Sequence, residues 1–433
     1  MKKLFSILIT ISLIFCLCAC DKPTPLKEGQ KSESKNSFDE AFLAGYNGTM
    51  QNVQAKESSM IAPAQKDADG LYGYIDVFGN WVIEPQFVAA APFSGDYAVI
   101  LDEYNEYCII NRSGETVLTS YQKSSINQSA VFSEGLIALR LDTDNAQSYV
   151  YLDTDFQNPF TAKIISGVRG RSYTSQVYFG LATPFRNGVA LVMKLKNSDI
   201  KDSKASESAY VINKSGEVLA TLPEGLDPDE YGFDDNGNVI VKTLNNLYGL
   251  CDKNGNLIVE CTYRKMQHCE GNLYLVCNDS GFFGYIDQSG NKVIDFKYQK
   301  AFPFSEGLAA VFNGTAWGLV DEQGNTVSDF LFEEIALLKS ANVLSSTNKA
   351  AVSGGVLGVL REGRWMLLSK EGKQLVNIAQ TSYNLFNGIA FKSVDNGYVV
   401  FVGNNGNGDG FGVLDTDGNL LLSPSFASIG LFR

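Results

Sequence analysis

The side chains that most often carry chemistry are scarce in this chain. It has one histidine, His268. One imidazole cannot build a multi-histidine metal site, and it limits nucleophilic catalysis to arrangements centred on that residue. His268 stands where related segments of the chain carry Phe, so it reads as a buried structural residue. Of eight cysteines, Cys16, Cys18 and Cys20 lie at the N-terminus, leaving Cys108, Cys251, Cys261, Cys269 and Cys277. Five cannot all pair within one chain, so no disulfide framework is expected, although four lie close enough in sequence for one bridge. Cys261, Cys269 and Cys277 with His268 resemble a zinc set only in composition, because no Cys-x-x-Cys pair is present. Asp415-Thr-Asp-Gly-Asn419 and Asn404-Asn-Gly-Asn-Gly-Asp409 have calcium-loop residues, but no Glu follows to complete such a loop. The Gly/Asn-rich stretch 403–412 has no basic neighbour to hold a phosphate. No catalytic residue, metal or cofactor is therefore expected. The remaining enzymatic alternative is a glycan-processing enzyme with two carboxylates about 5–10 Å apart.

The charge balance narrows the partners. The formal net charge is −13, and loss of Lys2 and Lys3 with a signal peptide makes the mature balance −15. Such a surface repels nucleic acid and anionic headgroups, and it suits cationic partners, divalent ions or simple solubility. Gly numbers 41 and aromatics reach 12%, whereas Pro is only 11. That mixture favours many short strands joined by tight turns.

The N-terminus reads as an export signal. Lys2 and Lys3 precede an apolar run from Leu4 to Cys16, too short to span a bilayer comfortably. Leu17-Cys-Ala-Cys20 then has the form of a lipobox, with Cys20 as the lipid acceptor. The expected organisation is a lipoprotein signal peptide over 1–19, a lipidated Cys and polar tether over 20–57, and one β domain over 58–433. A capping-box pattern at Ser37-Phe-Asp-Glu40 predicts a short helix over about 38–45. The protein is thus expected to sit on the extracytoplasmic face of the cell membrane. Its membrane partner is reached through the lipid on Cys20, and its protein or glycan ligand is unknown.

The elements that position everything else come from one repeat. Gly73-Tyr-Ile-Asp-Val-Phe-Gly-Asn-Trp-Val-Ile83, Gly284-Tyr-Ile-Asp-Gln-Ser-Gly-Asn-Lys-Val-Ile294 and Trp317-Gly-Leu-Val-Asp-Glu-Gln-Gly-Asn-Thr-Val327 align directly. Their shared feature is a hairpin. An acid or amide bonds its own following amides, and a Gly three residues on supplies positive φ. The pairs are Asp76 and Gly79, Asn111 and Gly114, Asn213 and Gly216, Asp252 and Gly255, Asp287 and Gly290, Asp321 and Gly324, and Asp415 and Gly418. Asp153 lacks its Gly, and Ser369 replaces the acid before Gly372, which brings the copies to nine. A Phe-x-x-Gly element precedes each hairpin. It is clearest at Phe304-Ser-Glu-Gly-Leu308, with relatives at Phe93, Phe132, Phe185, Phe233, His268 and Phe386 and a worn copy near Leu338. Polar excursions near 166–176 and 196–208 read as loop insertions.

The two ends of the domain are complementary in phase. Ser423-Pro-Ser-Phe426 matches Glu84-Pro-Gln-Phe87, so Phe432 falls where Phe93 lies and the chain stops there. Ser58 to Ala64 matches the segment due next, Ser305 to Val311. This predicts an all-β, closed β-propeller-like ring of about eight to nine four-stranded units. The N-terminal strand would pair into the C-terminal sheet. Nine copies exceed the usual upper end of about eight blades, so an open β-solenoid is the alternative.

These residues resemble the WG-repeat family, named for its Trp-Gly pair. Trp317-Gly318 is the direct match, and Tyr72-Gly73, Tyr248-Gly249 and Phe283-Gly284 are variants. The likeness covers about 58–433. It implies a β-repeat binding or scaffold domain, common in exported and lipid-anchored bacterial proteins, without a shared catalytic motif.

Overall fold

A computed structural model describes residues 59–119, 125–126, 132–143, 146–165, 172–176, 179–195, 205–339, 349–377, 391–404 and 409–433. The expected signal peptide, lipid-accepting Cys20, tether and helix at 38–45 lie outside these residues. The described residues are strands and turns, with no helix among them.

Eight of nine successive units follow one four-stranded plan; in the third, the strand that follows Ala146–Asp153 leaves the sheet, which joins the fourth unit's sheet through Tyr149 and Phe179. The seventh shows the plan in full: Lys300–Ala301, Leu308–Phe312, Trp317–Asp321 and Thr326–Phe332 form one antiparallel meander. Period-two alternation is buried on both faces. Leu308 and Ala310 join a cluster with the eighth unit, whereas Ala309 and Val311 join a cluster with the sixth. This is the all-buried pattern of a sheet packed between two others.

The fourth strand carries a bulge opposite the aromatic–Gly pair. Trp317 pairs with Phe332, but Leu319 pairs with Ser328, so extra residues of the fourth strand crowd over Gly318. A Cβ on Gly318 would stand 3.1 Å from the Ser328 carbonyl oxygen, and one on Gly284 only 2.7 Å from that of Ile294. Glycine is used here for close backbone approach rather than for an unusual φ. The bulge also roughens an edge strand that would otherwise invite pairing.

The ends of the domain meet as their phase predicts. Ala62–Gln65 pairs with Tyr72–Ile75 on one side and with Ser428–Ile429 on the other. The Ile61 amide donates to the Arg433 carbonyl (3.2 Å), and the Arg433 amide donates back to Ile61 (3.0 Å). That exchange repeats the one between Ser305 and Leu308. The chain break thus replaces the turn between the first and second strands of one unit. Pro63 is accommodated because Gly430 opposite it has no side chain to meet the ring.

Nine hydrophobic clusters join the units in sequence. One unites Val400, Val413 and Phe426 of the ninth unit with Ala62, Ile75 and Ile429 of the first. An open row of nine has eight boundaries. The ninth cluster and the shared sheet distinguish the ring from the solenoid.

Two sequence expectations are corrected, and a third lies outside the described residues. The excursion near 166–176 is not a plain loop: Thr161–Ile165 pairs with Ser172–Gln176 as a separate hairpin, and Ala205–Asn213 extends a strand into the second excursion. Leu338 does not start the eighth unit's Phe-x-x-Gly element; that turn is Ser353 to Val356. Leu338–Lys339 instead crosses to the ninth unit, where Lys339 pairs in parallel with Ser393. Phe386 lies outside the described residues, and the ninth unit's corresponding turn is Asp395 to Tyr398.

Candidate binding faces

Every hairpin anchor is engaged in its own turn. In the seventh unit, Asp321 Oδ1 accepts from the amides of Gln323 (3.1 Å) and Asn325 (2.8 Å), and Asn325 Nδ2 donates to Oδ2 (2.9 Å). Asp76, Asp252, Asp287 and Asp415 do the same with Asn80, Asn256, Asn291 and Asn419. Asn111 and Asn213 use Oδ1 in the same way and give their Nδ2 to Glu115 and Glu217. The two degenerate copies fold alike: Phe156 takes positive φ in place of Gly (57°), and the Ser369 hydroxyl accepts from the Lys373 amide. Burial alone would raise the Asp287 carboxyl. Hydrogen bonds from the Asn291 side chain and from the Asn291, Ser289 and Gly290 amides outweigh it and hold the group below the usual range. Asp252 is held down by the same balance.

The turn glycines also touch the preceding unit. A Cβ on Gly324 (φ 82°) would stand 3.2 Å from Ile294 Cγ1, and one on Gly79 (φ 87°) 2.8 Å from Leu422 Cδ1 of the ninth unit. The turns are therefore packing elements. The aromatic–Gly pairs are internal too: Trp317 stacks on Phe302 at 4.9 Å, and Tyr72, Tyr248 and Phe283 are half-buried.

A tyrosine staple links neighbouring units. The hydroxyls of Tyr74, Tyr151 and Tyr285 donate to the carbonyls of Ala91, Thr183 and Phe302 in the next unit. Their rings pack on Phe93, Phe185 and Phe304 at 4.8, 5.1 and 4.6 Å. The sequence shows these tyrosines as core residues but gives no sign of the partner carbonyls.

His268 is 3% exposed, at the Phe position of its unit as expected. Around it lies a polar network that the sequence does not announce. His268 Nδ1 is 3.4 Å from Asp234 Oδ2, Tyr274 donates to the same carboxylate, and Asn238 Nδ2 donates to the Tyr274 hydroxyl (3.2 Å). Burial opposes ionisation of Asp234, yet hydrogen bonds from His268, Tyr274 and the Asn238 amide outweigh it and lower its pKa. Among the described residues His268 Nε2 has no hydrogen-bond partner. The network joins the fifth and sixth units, where Leu250 replaces the staple tyrosine.

The thiols are shielded. All five described cysteines are free, and burial raises Cys108 to about 11 and Cys251 and Cys269 to about 12. Protonated thiols are poor nucleophiles and poor metal ligands. Among the described residues no three His, Cys, Asp or Glu side chains gather as a metal set.

Each unit has turns on two opposite faces of the ring. One face holds the anchors and the first-to-second-strand turns, cross-linked by carboxylates: Glu270 accepts from the Glu306 amide (2.6 Å), and Glu306 accepts from the Gly355 amide (2.8 Å). The other holds the second-to-third-strand turns and the connections between units. Five of the exposed apolar side chains lie there, Leu71, Val88, Tyr104, Leu244 and Phe282, whereas the others lie on fourth strands. Repulsion from Glu103 raises the Tyr104 hydroxyl pKa.

Comparisons with known proteins agree with the repeat. The WG containing repeat family matches at residues 72–103, 248–281, 283–314 and 317–339. No curated protein matches the sequence. A eukaryotic initiation factor aligns with TM-score 0.52 at 12% identity, over 87% of this chain and 98% of that one. BamB from Moraxella catarrhalis aligns with TM-score 0.36 at 11% identity, over 75% and 94%. Hsv2p from Kluyveromyces lactis aligns with TM-score 0.32 at 9% identity, over 64% and 90%. At 12% identity, the likeness to the initiation factor concerns the fold alone.

Proposed function

We propose that this WG-repeat protein is a non-catalytic binding and scaffold lipoprotein, held by lipid on Cys20 outside the cytoplasmic membrane and presenting its ring to a protein or glycan. The observation that carries the binding reading is the use of the repeated acids. Each anchor carboxylate that could serve as a paired catalytic acid is bound to the amides of its own turn. Glu270 and Glu306 likewise face amides of neighbouring turns. A rigid frame of stapled units with variable turns on one face suits recognition, as loops on scaffolds generally do.

The mature protein on a glycan and peptidoglycan array, with product analysis of each bound ligand, tests the reading. Retention without cleavage is expected, and a released product overturns it in favour of the paired-carboxylate enzyme. Metabolic lipid labelling of Cys20→Ala tests the anchor separately. Labelling should vanish, and a variant labelled like the wild type refutes lipidation at Cys20.

A further inference from the structure

We propose that a strip across the first two units, formed by Leu71, Val88 and Tyr104 and edged by Asp67, Asp69, Glu103 and Glu106, docks a cationic amphipathic peptide segment of a partner protein. The inference deepens the binding reading and rests on it. Backbone register makes the strip continuous. Tyr72, next to Leu71, pairs with Phe87, next to Val88. The Val88 amide donates to the Leu101 carbonyl (2.8 Å), and Leu101 leads into the turn that carries Tyr104. The three apolar residues are 45%, 40% and 76% exposed.

The repeat supplies its own control. The residue at the Val88 position makes the same amide bond in the sixth, seventh and eighth units, where it is Arg264, Gln299 and Glu333. The residue at the Tyr104 position is Asn245 in the fifth unit and Ser280 in the sixth. Fold requirements at these positions are therefore met by polar residues. Val88 and Tyr104 depart from the pattern together, on elements joined by the Val88–Leu101 backbone bond, on the face away from the anchor turns. Isolated exposed apolar residues are ordinary, but a contiguous set marks contact surfaces.

Charge selects the occupant. Asp67, Asp69, Glu103 and Glu106 are exposed, and none joins an ion pair among the described residues. The neighbouring cation, Lys66, lies with Nζ 4.2 Å over the Phe426 ring. An apolar strip between unpaired carboxylates matches a segment that alternates apolar and basic side chains. Tyrosine suits such a contact, giving an apolar face and a polar tip.

The test measures fluorescence anisotropy of a twelve-residue lysine–leucine peptide titrated with the mature protein, beside glutamate–leucine and lysine–serine peptides. The lysine–leucine peptide should bind, and the other two should bind at least tenfold more weakly. Val88→Gln with Tyr104→Ser installs residues the chain already uses at these positions, and it should weaken binding at least tenfold with an unchanged melting temperature. Glu103→Gln with Glu106→Gln should weaken binding and flatten its salt dependence. Phe282→Ser, in the sixth unit, should leave binding unchanged. Equal binding by the Val88/Tyr104 variant, or equal binding of the lysine–serine peptide, overturns the proposal. Self-association abolished by the same variant, without peptide binding, assigns the strip to a second copy and also overturns it. A glycan that binds elsewhere on the array leaves the general binding reading intact while the strip fails.

Discussion

Removal of the N-terminal strand tests ring closure directly. A chain that starts at residue 68 lacks Ile61 to Gln65, whereas one that starts at residue 59 keeps them. Ile61, Ala62 and Ala64 are buried. Burial of an Ile side chain contributes about 1.5–3 kcal/mol and each Ala methyl about 0.8 kcal/mol, or roughly 3–5 kcal/mol together. The strand also bridges two others, and Ile61 exchanges two bonds with Arg433. Some six backbone bonds at a net 0.5–1 kcal/mol each contribute about 3–6 kcal/mol more. The combined loss, roughly 6–11 kcal/mol, is comparable with the whole stability of a typical domain. Ile75, Val77 and Ile429 would be uncovered, and two strand edges opened. Thermal unfolding and size-exclusion chromatography of the two chains are the assay. The shorter should aggregate or lose most of its cooperative transition, and the longer should match the full mature protein. A monodisperse shorter chain melting within about 2 °C of the longer one would refute closure through this strand.

Other perturbations probe the parts separately. Gly324→Val should cost about 1–3 kcal/mol by chemical denaturation, since a β-branched residue resists positive φ and meets Ile294. Asp321→Ala should cost about 1 kcal/mol, and an unchanged midpoint in both variants would mean these residues do not hold the turn. Tyr285→Phe removes one bond to the Phe302 carbonyl and should cost about 0.5–1.5 kcal/mol, with equal stability as the contrary result. Folded Asp234, Asp252 and Asp287 have lowered pKa values, so their stabilisation is full above the unfolded value near 4 and fades as pH falls through the folded values. Stability should therefore drop below about pH 4, and Asp287→Asn should flatten that drop; an unaltered acid limb refutes the assignment. Native Cys251 and Cys269 should resist iodoacetamide at pH 8 and react after unfolding, and rapid native labelling would contradict their burial.

Legibility in the sequence tracked how local each interaction is. An acid that bonds amides two and four residues away writes itself as Asp-x-x-Gly-Asn, so the hairpins could be read, and even Asp153 and Ser369 fold as copies. The phase of the two ends was legible for the same reason. Interactions between units left no local trace. Tyr74 and Tyr285 look like any core aromatic until the carbonyls they reach are known. The His268 network depends on Asp234, 34 residues earlier, and on Tyr274, which stands where the seventh unit has Ala309. Leu338 misled because an apolar residue at roughly the right spacing suits either a repeat strand or a crossing segment. The binding strip became visible only when register joined Leu71, Val88 and Tyr104, which are apart in sequence.

The position of the chain break inside the first unit also sets a clock. Ser428–Ile429 begins the sheet that Ala62–Gln65 continues, so the earliest-made strand must wait for the latest. Units two to eight can pack on their neighbours as they emerge. The first unit lacks its first strand, and the ninth its second neighbour, until Ser428–Ile429 has been made. A prematurely terminated chain keeps both open edges for its whole lifetime. Ile61 and Arg433, 372 positions apart in sequence, thus hold each other by the same two-bond exchange that a tight turn makes between residues three apart.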